Sequence, residues 1–372
     1  MRILHLVPLH IPASGIIQQA IAEQYAADQT SVDWQVRLFT DVDLPEAAER
    51  LRIHAGGDPG EQRRSSWIRY AADKLSHRRS LYRWIREHQH EYDAIILRYT
   101  TSDIARARAL RRLSIPVVSL HHTLEVPEIK LLRGYQRLLQ VVVESVVGPR
   151  NILAAAVIAG VTDEVVQHEL ARVRVTKPTM TFPNGIDLSK QPVAADERSD
   201  LPELLFVAST FATWHGLDLL LDDLHRTDAD FRLHLVGDVD PADRERAIRD
   251  PRLVLHGRLT PDAIRDLTAQ SWVGLSSFAL ERKGMEEACT LKVREYLASG
   301  LPTYAGHRDR FPTEASYYLQ GPPVFDRVLE YAHRTRNLTR DDVRRQSAPF
   351  ISKANILEEA HDRLDGILSV RR

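Results

Sequence analysis

The stretch EACTLKVREYLASGLP, residues 287–302, decides the fold of this chain. Val293, Tyr296 and Leu297 repeat at i, i+3 and i+4, which predicts a helix in its second half. Gly300 marks the end of that helix, and the apolar residues after it predict a short strand. The stretch therefore predicts a loop, a helix and a strand in succession, as in α/β folds.

Two glutamates and a lysine give this stretch its chemistry. Glu287 falls in the loop before the helix, whose N-terminus offers free backbone N–H groups and a positive dipole to a diphosphate. Glu295 lies in the helix and can accept hydrogen bonds from the hydroxyls of a ribose, and Lys292 stands between the two carboxylates. The spacing alone is common, so a solvated pair of surface glutamates is the alternative interpretation. The whole pattern suits a nucleoside diphosphate with a sugar attached.

The string Leu-Lys-Val-Arg-Glu-Tyr-Leu-Ala-x-Gly-Leu-Pro around Glu295 resembles the Glu-x7-Glu region of retaining GT-B glycosyltransferases, the glycosyltransferase group 1 family, in the variant of bacterial polysaccharide-type members. The resemblance implies an α/β fold of two doubly wound, Rossmann-like domains facing across a cleft. It implies transfer of a sugar from a nucleotide-sugar to an acceptor hydroxyl with retained configuration. It also implies that the reaction needs no metal ion and no other cofactor.

Length, charge and cysteine content limit the kinds of protein that this chain can be. The chain has 372 residues, of which 43% are hydrophobic and 27% charged, enough for two domains with full cores. A formal net charge of −1 gives no global excess of positive charge for nucleic acid. Cys289 is the single cysteine, which excludes internal disulfides and cysteine-based metal clusters and fits a reducing cytoplasm. Because neither a signal peptide nor a run of about 20 apolar residues is present, we expect a cytoplasmic protein, peripheral at most to the inner membrane face.

Basic and aromatic side chains are interleaved between residues 63 and 86. The residues are Arg63, Arg64, Trp67, Arg69, Tyr70, Lys74, Arg78, Arg79, Tyr82, Arg83, Trp84 and Arg86. Such a run is most often a solvated face. The functional interpretation is contact with an anionic membrane surface or with a polyanionic acceptor. Together with the motif variant, this region favours a glycan or lipid-linked acceptor.

The first half of the chain opens with a strand at 2–7, a loop, a helix from Gly15 and a strand at 34–39. This order is typical of a doubly wound domain. Gly15 lets the loop approach a ligand, or it serves a plain turn. Arg98 ends a later strand, where ligands bind in such sheets, and a fold-stabilising ion pair is the equal alternative.

Two histidines end the next predicted strand. Pro-Val-Val-x-x-x-His-Thr, residues 116–123, resembles the strand end at which a histidine of group 1 transferases reaches the donor sugar, and the match falls on His122. His121 should point the other way, since neighbours on a strand diverge. With no carboxylate pattern to complete a site, we expect no metal here.

The second half repeats the strand–loop–helix opening from residue 203. In group 1 transferases this loop cradles the diphosphate with an Arg and a Lys, and both are missing here. The residues left to share the phosphate charge are Ser209, Thr210, His215 and Lys292, with Gly216 at the helix start. Gly257 and Arg258 end a later strand that, in the family, lies against the nucleotide base.

The resemblance thus gives a set of domains and roles. The predicted domains are an acceptor-side domain at 1–187, a nucleotide-sugar domain at 188–345 and, at 346–372, a helix that crosses back to the first domain. Glu287 would hold sugar hydroxyls and stabilise positive charge at the anomeric carbon, and His122 would contact the sugar. A GT-B epimerase or a phosphorylase would need acid–base groups or a cofactor lysine for which no pattern is seen. A non-catalytic nucleotide-sugar-binding or scaffold protein is the alternative from another class.

Overall fold

A computed structural model describes residues 1–56, 67–131 and 136–370, with the backbone alone for 67–71 and 136. The chain divides into two compact units. The first unit is Met1–Pro183 together with Lys353–Arg372, and the second is Asn184–Ser352. Each has its own parallel sheet with helices, so the predicted fold class, α/β with two doubly wound units, is confirmed.

The first unit contains a seven-stranded sheet in the order β3-β2-β1-β4-β5-β6-β7. Its strands are β1 Ile3–Pro8, β2 Trp34–Phe39, β3 Arg52–Ile53, β4 Ala94–Arg98, β5 Val117–His121, β6 Val157–Gly160 and β7 Thr179–Thr181. Its helices are α1 Ser14–Ala27, α2 Glu46–Glu49, α3 Trp67–His88, α4 Arg106–Leu110, α5 Glu125–Leu131, α6 Gln136–Ala154 and α7 Asp163–Ala171, with α14 Lys353–Ser369 from the far end of the chain.

The second unit contains a six-stranded sheet in the order β10-β9-β8-β11-β12-β13. Its strands are β8 Glu203–Thr210, β9 Arg232–Asp238, β10 Leu253–Gly257, β11 Val273–Ser276, β12 Thr303–Ala305 and β13 Tyr318–Gln320. Its helices are α8 Leu217–Asp223, α9 Pro241–Ala247, α10 Pro261–Gln270, α11 Leu291–Ala298, α12 Phe325–Thr335 and α13 Arg340–Ile351.

Strand β1 shows why these sheets are covered on both faces. Ile3 and Val7 belong to one apolar core, while Leu4 and Leu6 belong to another. Because successive side chains of a strand point to opposite faces, a run that is apolar at every position needs a helical layer on each side. The two cores of the first unit are those layers.

The chain passes between the units at residues 184 and 353, compared with 188 and 346 in the sequence prediction. The chain returns to the first unit later than predicted because α13 belongs to the second unit, where its Val343 and Ile351 are buried with Val293 and Leu297. The apolar face of α14 is instead buried in the first unit. In the described parts of the chain, no helix combines the length and the hydropathy needed to cross a membrane.

Candidate functional site

The N-terminus of α11 presents unsatisfied hydrogen-bonding groups. Thr290 is the N-cap, but its side chain does not accept a hydrogen bond from the first turn. The Thr290 hydroxyl is buried and has no hydrogen-bond partner among the described residues. The first N–H groups of a helix have no acceptor within the helix, so the first turn of α11 offers several donors and a positive dipole to an anion.

Lys292 lies in the same turn and is short of an acceptor. Its Nζ atom is buried, has no hydrogen-bond partner in the described part of the chain and stands 5.1 Å from the centre of the Phe206 ring. Burial lowers the pKa of Lys292 to about 7, and the nearby Glu295 carboxylate offsets part of this effect. A buried ammonium without an acceptor is unfavourable, so this position favours a bound anion.

The loop after β8 adds a neutral histidine. The backbone N–H of Ala212 donates to His215 Nδ1 over 2.9 Å, so the neutral ring carries its proton on Nε2 and can donate it to a ligand. Burial, followed by the Lys292 charge, lowers the pKa of His215 to about 3. Gly216 has a φ of +70°, and a Cβ there would lie 2.9 Å from the Cβ of Phe278. Only glycine fits this turn without strain.

Two cations that the sequence prediction did not assign flank the same loop. Arg282 donates two hydrogen bonds to the Asp218 carboxylate, at 2.9 and 2.8 Å, and one to the Thr213 carbonyl at 2.8 Å. The Lys283 Nζ atom lies 4.8 Å from the centre of the Trp214 ring, and its charge also lowers the pKa of His215. The Arg-Lys-Gly string was visible in the sequence, but its contact with a loop some 70 positions earlier was not.

Glu287 is held in place by Arg308, another residue that the sequence prediction missed. The two residues form a parallel β-bridge, in which the Ala288 N–H donates to the Arg308 carbonyl and the Arg308 N–H to that of Glu286, both over 3.0 Å. Arg308 Nη2 lies 3.5 Å from Glu287 Oε1, and the Glu287 side chain is 24% exposed. The loop thus presents a partly exposed carboxylate beside a cation.

A buried cluster under this loop fixes its shape. Arg294 forms an ion pair with Asp309 through Nη1 and Nη2, and its Nε donates to the Asn184 carbonyl at 3.2 Å. The Asn184 side-chain amide donates to the Cys289 carbonyl at 2.6 Å. Burial raises the pKa of the Cys289 thiol to about 11, so it stays protonated. A protonated, buried thiol is not a nucleophile, so Cys289 serves as a small residue of the loop.

The remaining predicted donor residues occupy exposed positions of the second unit. Ser209 and Thr210 are exposed at the end of β8, and Glu295 is exposed on α11. Arg258 donates to the Asp238 carboxylate over 2.8 Å, and both side chains are largely exposed. Gly257 has a φ of +66°, and a Cβ there would meet no described atom within 4 Å, so the space beside it is open.

In the first unit, His122 follows the end of β5. Its Nε2 atom is buried without a partner among the described residues, and burial, followed by the Arg98 charge, holds its pKa well below the usual range. His121 lies in a different environment, stacked on Tyr99 at 4.2 Å and within 3.3 Å of Glu125. The two side chains diverge as predicted, and the neutral His122 keeps a ring nitrogen available for a ligand.

Arg98 and Gly15 stand at the ends of other elements of this unit. The Arg98 guanidinium lies near Glu125 and Glu128, whose charges oppose the effect of burial on its pKa. Both interpretations of Arg98, a ligand contact and an ion pair, therefore stay open. Gly15 is exposed in the first turn of α1, with nothing within 4 Å of the Cβ that another residue would have. No neighbour in the described part of the chain therefore explains a glycine at position 15.

A cleft lined with arginines lies between α3 and α4. Its volume is 630 Å³, and its lining includes the apolar residues Leu75 and Leu113. Its basic residues are Arg79, Arg83, Arg86, Arg108 and Arg112. All five are exposed, and in the described residues none pairs with a carboxylate. Part of the basic region predicted at 63–86 forms one wall, while residues 57–66 lie outside the described part of the chain.

Among the described residues, no group of three His, Cys, Asp or Glu side chains could hold a metal ion. Lys292 and Lys283, together with the dipole of the helix, place positive charge near the N-terminus of α11 and the loop after β8.

Two family models match the chain along most of its length. The model described as Glycosyltransferase Family 4 matches residues 21–190. The model described as Glycosyl transferases group 1 matches residues 201–313, which contain the α11 site. Both parts of the chain therefore match models of glycosyltransferases.

Solved structures show the same fold for this glycosyltransferase. A sucrose-phosphate synthase from Thermosynechococcus elongatus is 16% identical, with a TM-score of 0.63 and complete coverage of both chains. The lipopolysaccharide outer core galactosyltransferase WaaB in its apo form is 11% identical, with a TM-score of 0.64 and the same coverage. The Anabaena protein HepE in complex with UDP and glucose is 15% identical, with a TM-score of 0.60, over 98% of this chain and 100% of its own. A search of curated protein sequences gives no significant match.

Proposed function

We propose that this glycosyltransferase moves a sugar from a nucleoside diphosphate sugar to a hydroxyl of a glycan or lipid-linked acceptor, with retained configuration. The observation that carries the proposal is the buried Lys292 ammonium, which lacks an acceptor among the described residues beside the open N-terminus of α11. A diphosphate supplies the acceptors that this turn lacks. HepE binds UDP, UDP-glucose and glucose, which makes UDP-glucose the first donor to test.

The leaving diphosphate gathers negative charge as the sugar departs, and preorganised donors lower the barrier by stabilising that charge. We assign this role to the first turn of α11, Lys292 and the Nε2–H of His215. Lys283 stands in for one of the cations that the β8 loop lacks, and Ser209 and Thr210 add hydroxyl donors. With these charges in place, the reaction is proposed to run without a metal ion.

The carboxylates and histidine take the remaining roles in the proposal. Glu287, aligned by Arg308, holds sugar hydroxyls and stabilises positive charge at the anomeric carbon. Glu295 accepts the ribose hydroxyls, and His122 contacts the transferred sugar. Gly257 and Arg258 lie against the base, with the Asp238 contact of Arg258 opening to admit it. No general base is assigned, since in a retaining reaction the leaving phosphate can take the acceptor proton.

The arginine cleft supports an acceptor that carries negative charge. Five arginines, none paired with a described carboxylate, line the cleft together with apolar residues. They suit a phosphate-bearing or acidic glycan acceptor, because Arg binds phosphate and carboxylate groups with two hydrogen bonds. The same proposal includes contact of residues 63–86 with an anionic membrane. It also includes a cytoplasmic location at the inner membrane face. The single buried cysteine suits that reducing compartment.

Calorimetric titration with UDP tests the role of Lys292. Its pKa of about 7 means that the ammonium must take up a proton to pair with the diphosphate above that pH. We expect the affinity for UDP to fall as pH rises from about 7 to about 9. Proton uptake should appear as a difference in the measured binding enthalpy between buffers of unlike ionisation enthalpy. Lys292→Met should lose about tenfold to a hundredfold in affinity and the pH dependence with it.

Lys190→Met, at an exposed position of the second unit, is the matched control and should bind UDP like the wild type. Equal affinity of Lys292→Met and wild type would overturn the diphosphate assignment. Turnover of labelled UDP-glucose separates the alternatives: a scaffold would release no UDP, and an epimerase would change the sugar without releasing it. Donors with other bases follow if UDP does not bind.

A further inference from the structure

Helix α6 of the first unit buries two polar side chains and exposes an apolar stripe. Glu144 and Asn151 are completely buried. The side chains on the opposite side, between 43% and 64% exposed, are Leu138, Leu139, Val142, Val146 and Leu153. Their spacing places them on one stripe of the helix. This is the reverse of the usual arrangement, in which a surface helix buries its leucines.

Buried polar contacts fix the helix in this orientation. The Glu144 carboxylate accepts hydrogen bonds from the Tyr99 hydroxyl at 2.7 Å, the Ser102 N–H at 2.6 Å and the Arg172 guanidinium at 2.8 Å. A Cβ at Gly148 would lie 1.8 Å from Arg172 Nη2, so glycine makes room for this ion pair. Rolling the helix to bury its leucines would withdraw the Glu144 carboxylate from the Tyr99 hydroxyl and the Ser102 N–H and leave both donors without this acceptor, which is unfavourable.

Asn151 forms hydrogen bonds on the same buried face of α6, further along the helix. Its side-chain oxygen accepts from the Ala107 N–H at 3.0 Å, and its amide donates to the Asp103 carbonyl at 3.0 Å. These contacts join α6 to the start of α4. The apolar stripe is therefore a fixed feature of the folded first unit.

The charges beside the stripe favour an anionic partner. Glu144 is the only acidic residue of α6, and it is buried in its ion pair. Arg150 is exposed beside the stripe, where its Nη1 donates to the Val146 carbonyl at 2.7 Å. Arg137 and Lys130 are exposed at the N-terminal end of α6, where Arg137 Nη1 donates to the Lys130 carbonyl at 3.3 Å. An apolar stripe with a cation beside it and cations at its N-terminal end, on a helix that exposes no carboxylate, is the pattern of helices that lie in the interface of a membrane.

The size of the stripe argues against a second copy of the chain as its partner. The exposed parts of the five side chains cover roughly 500 Å², the scale of the largest patch on a monomer. A stable protein interface buries about 800 Å² on each partner. The stripe alone is too small for such an interface, whereas insertion into lipid requires no complementary surface.

We propose that α6 lies in the headgroup region of an anionic lipid membrane, with Leu139 and Val142 reaching the acyl chains. The inference concerns a surface other than the nucleotide site and does not depend on sugar transfer. It adds a lipid contact on a different helix from the basic region at 63–86. A contact through that region would be mainly electrostatic, while one through α6 is mainly apolar.

Co-sedimentation of the full chain with vesicles tests the proposal. We expect the wild type to bind phosphatidylglycerol vesicles more strongly than phosphatidylcholine vesicles, and to remain partly bound at about 1 M salt, where surface charges are screened. Leu139→Ser with Val142→Ser should lower binding by on the order of a hundredfold. The matched control is Val175→Ser with Ile248→Ser, two other exposed apolar positions, and should bind like the wild type.

Three results would overturn the proposal. The wild type fails to bind phosphatidylglycerol vesicles, the α6 variant binds as the wild type does, or high salt releases the wild type completely. Light scattering of each sample tests the other possible partner, a second copy of the chain. If the wild type forms a dimer that the α6 variant cannot form, and the wild type does not bind vesicles, the stripe is assigned to a second copy. Because all four substituted side chains are exposed, the variants should keep the thermal stability of the wild type, which is measured alongside.

Discussion

Single residues of the nucleotide site show how burial prepares it for an anion. Lys292 and His215 lie close enough for the lysine charge to lower the pKa of the histidine. With His215 neutral and its Nδ1 occupied, one proton is left on Nε2 to donate. A diphosphate would convert Lys292 from a marginal cation into a paired one, so ligand binding and protonation are coupled at this residue.

Gly15 allows a test at the scale of one methyl group. Gly15→Ala should keep or slightly raise the free energy of unfolding, by about 0.5–1 kcal/mol, because alanine favours helix and nothing within 4 Å opposes its Cβ. If the donor approaches this turn, the same methyl group lowers the rate of sugar transfer. Thermal unfolding and turnover of labelled UDP-glucose are the measurements.

Gly366→Ala is the matched control for that prediction, because Gly366 lies in α14 and also has open space around its Cβ position. Both variants should be equally stable, and Gly15→Ala alone should lose turnover. Equal turnover in the two variants would mean that the donor does not approach Gly15.

The loop that carries Glu287 depends on the buried Arg294–Asp309 ion pair beneath it. Arg294→Met should lower the free energy of unfolding by about 3–5 kcal/mol, because it leaves the Asp309 carboxylate buried without its partner. Urea unfolding followed by tryptophan fluorescence measures the change. Arg294→Met combined with Asp309→Leu should recover part of the loss, since both charges are then gone.

A loss below about 1 kcal/mol in the single variant would show that the pair adds little to the stability of this loop. Arg327→Met is a suitable comparison, because its ion pair with Glu330 is largely exposed and should be worth less than about 1 kcal/mol.

The sequence predicted several of the helices and strands and missed others. The strand predicted at 34–39 is β2, and the helix and strand predicted from the 287–302 stretch are α11 and β12. Helices α12 and α13 were not predicted. For α12 the signal was present, since Phe325, Val328, Leu329 and Ala332 follow helical spacing and are buried. Strand β3 has only two residues, too few for any periodicity.

The candidate site divides in the same way. Glu287, Lys292 and Glu295 were predicted because they share one short stretch of sequence. Arg308 and Lys283 were not, because their proximity to Glu287 and His215 is created by the fold. A pattern in the sequence reports neighbours along a helix or a strand, but a contact between separate loops depends on the register of the sheet that carries them.

At the scale of the whole molecule, α14 completes the core of the first unit from far along the chain. Its buried apolar residues, such as Leu364, pack with those of β1 and α1. Lys353 Nζ lies 3.6 Å from Glu23, whose carboxylate also accepts from Trp34 Nε1 at 3.0 Å and lies 2.7 Å from His5 Nδ1. These groups outweigh the effect of burial and lower the pKa of Glu23 to about 2.

Leu364→Ala tests this dependence without deleting the helix. The change should lower the free energy of unfolding of the first unit by about 2–5 kcal/mol, because a completely buried side chain leaves a cavity. Hydrogen exchange should speed up in β1 and α1 but not in β8 and β11, which belong to the other unit. Glu358→Ala, at an exposed position of α14, serves as the control. Uniform acceleration in both units would mean that they unfold together.

The return of the chain at Lys353 also bears on how the protein is made. The second unit is continuous in sequence, so a ribosome releases all of its strands before it synthesises the helix that the first unit needs. The apolar surface of the first sheet that α14 covers therefore stays exposed while the second unit folds. Exposed apolar surface of this kind promotes the aggregation of newly made chains. In this chain, the half that is synthesised first is the last to become stable.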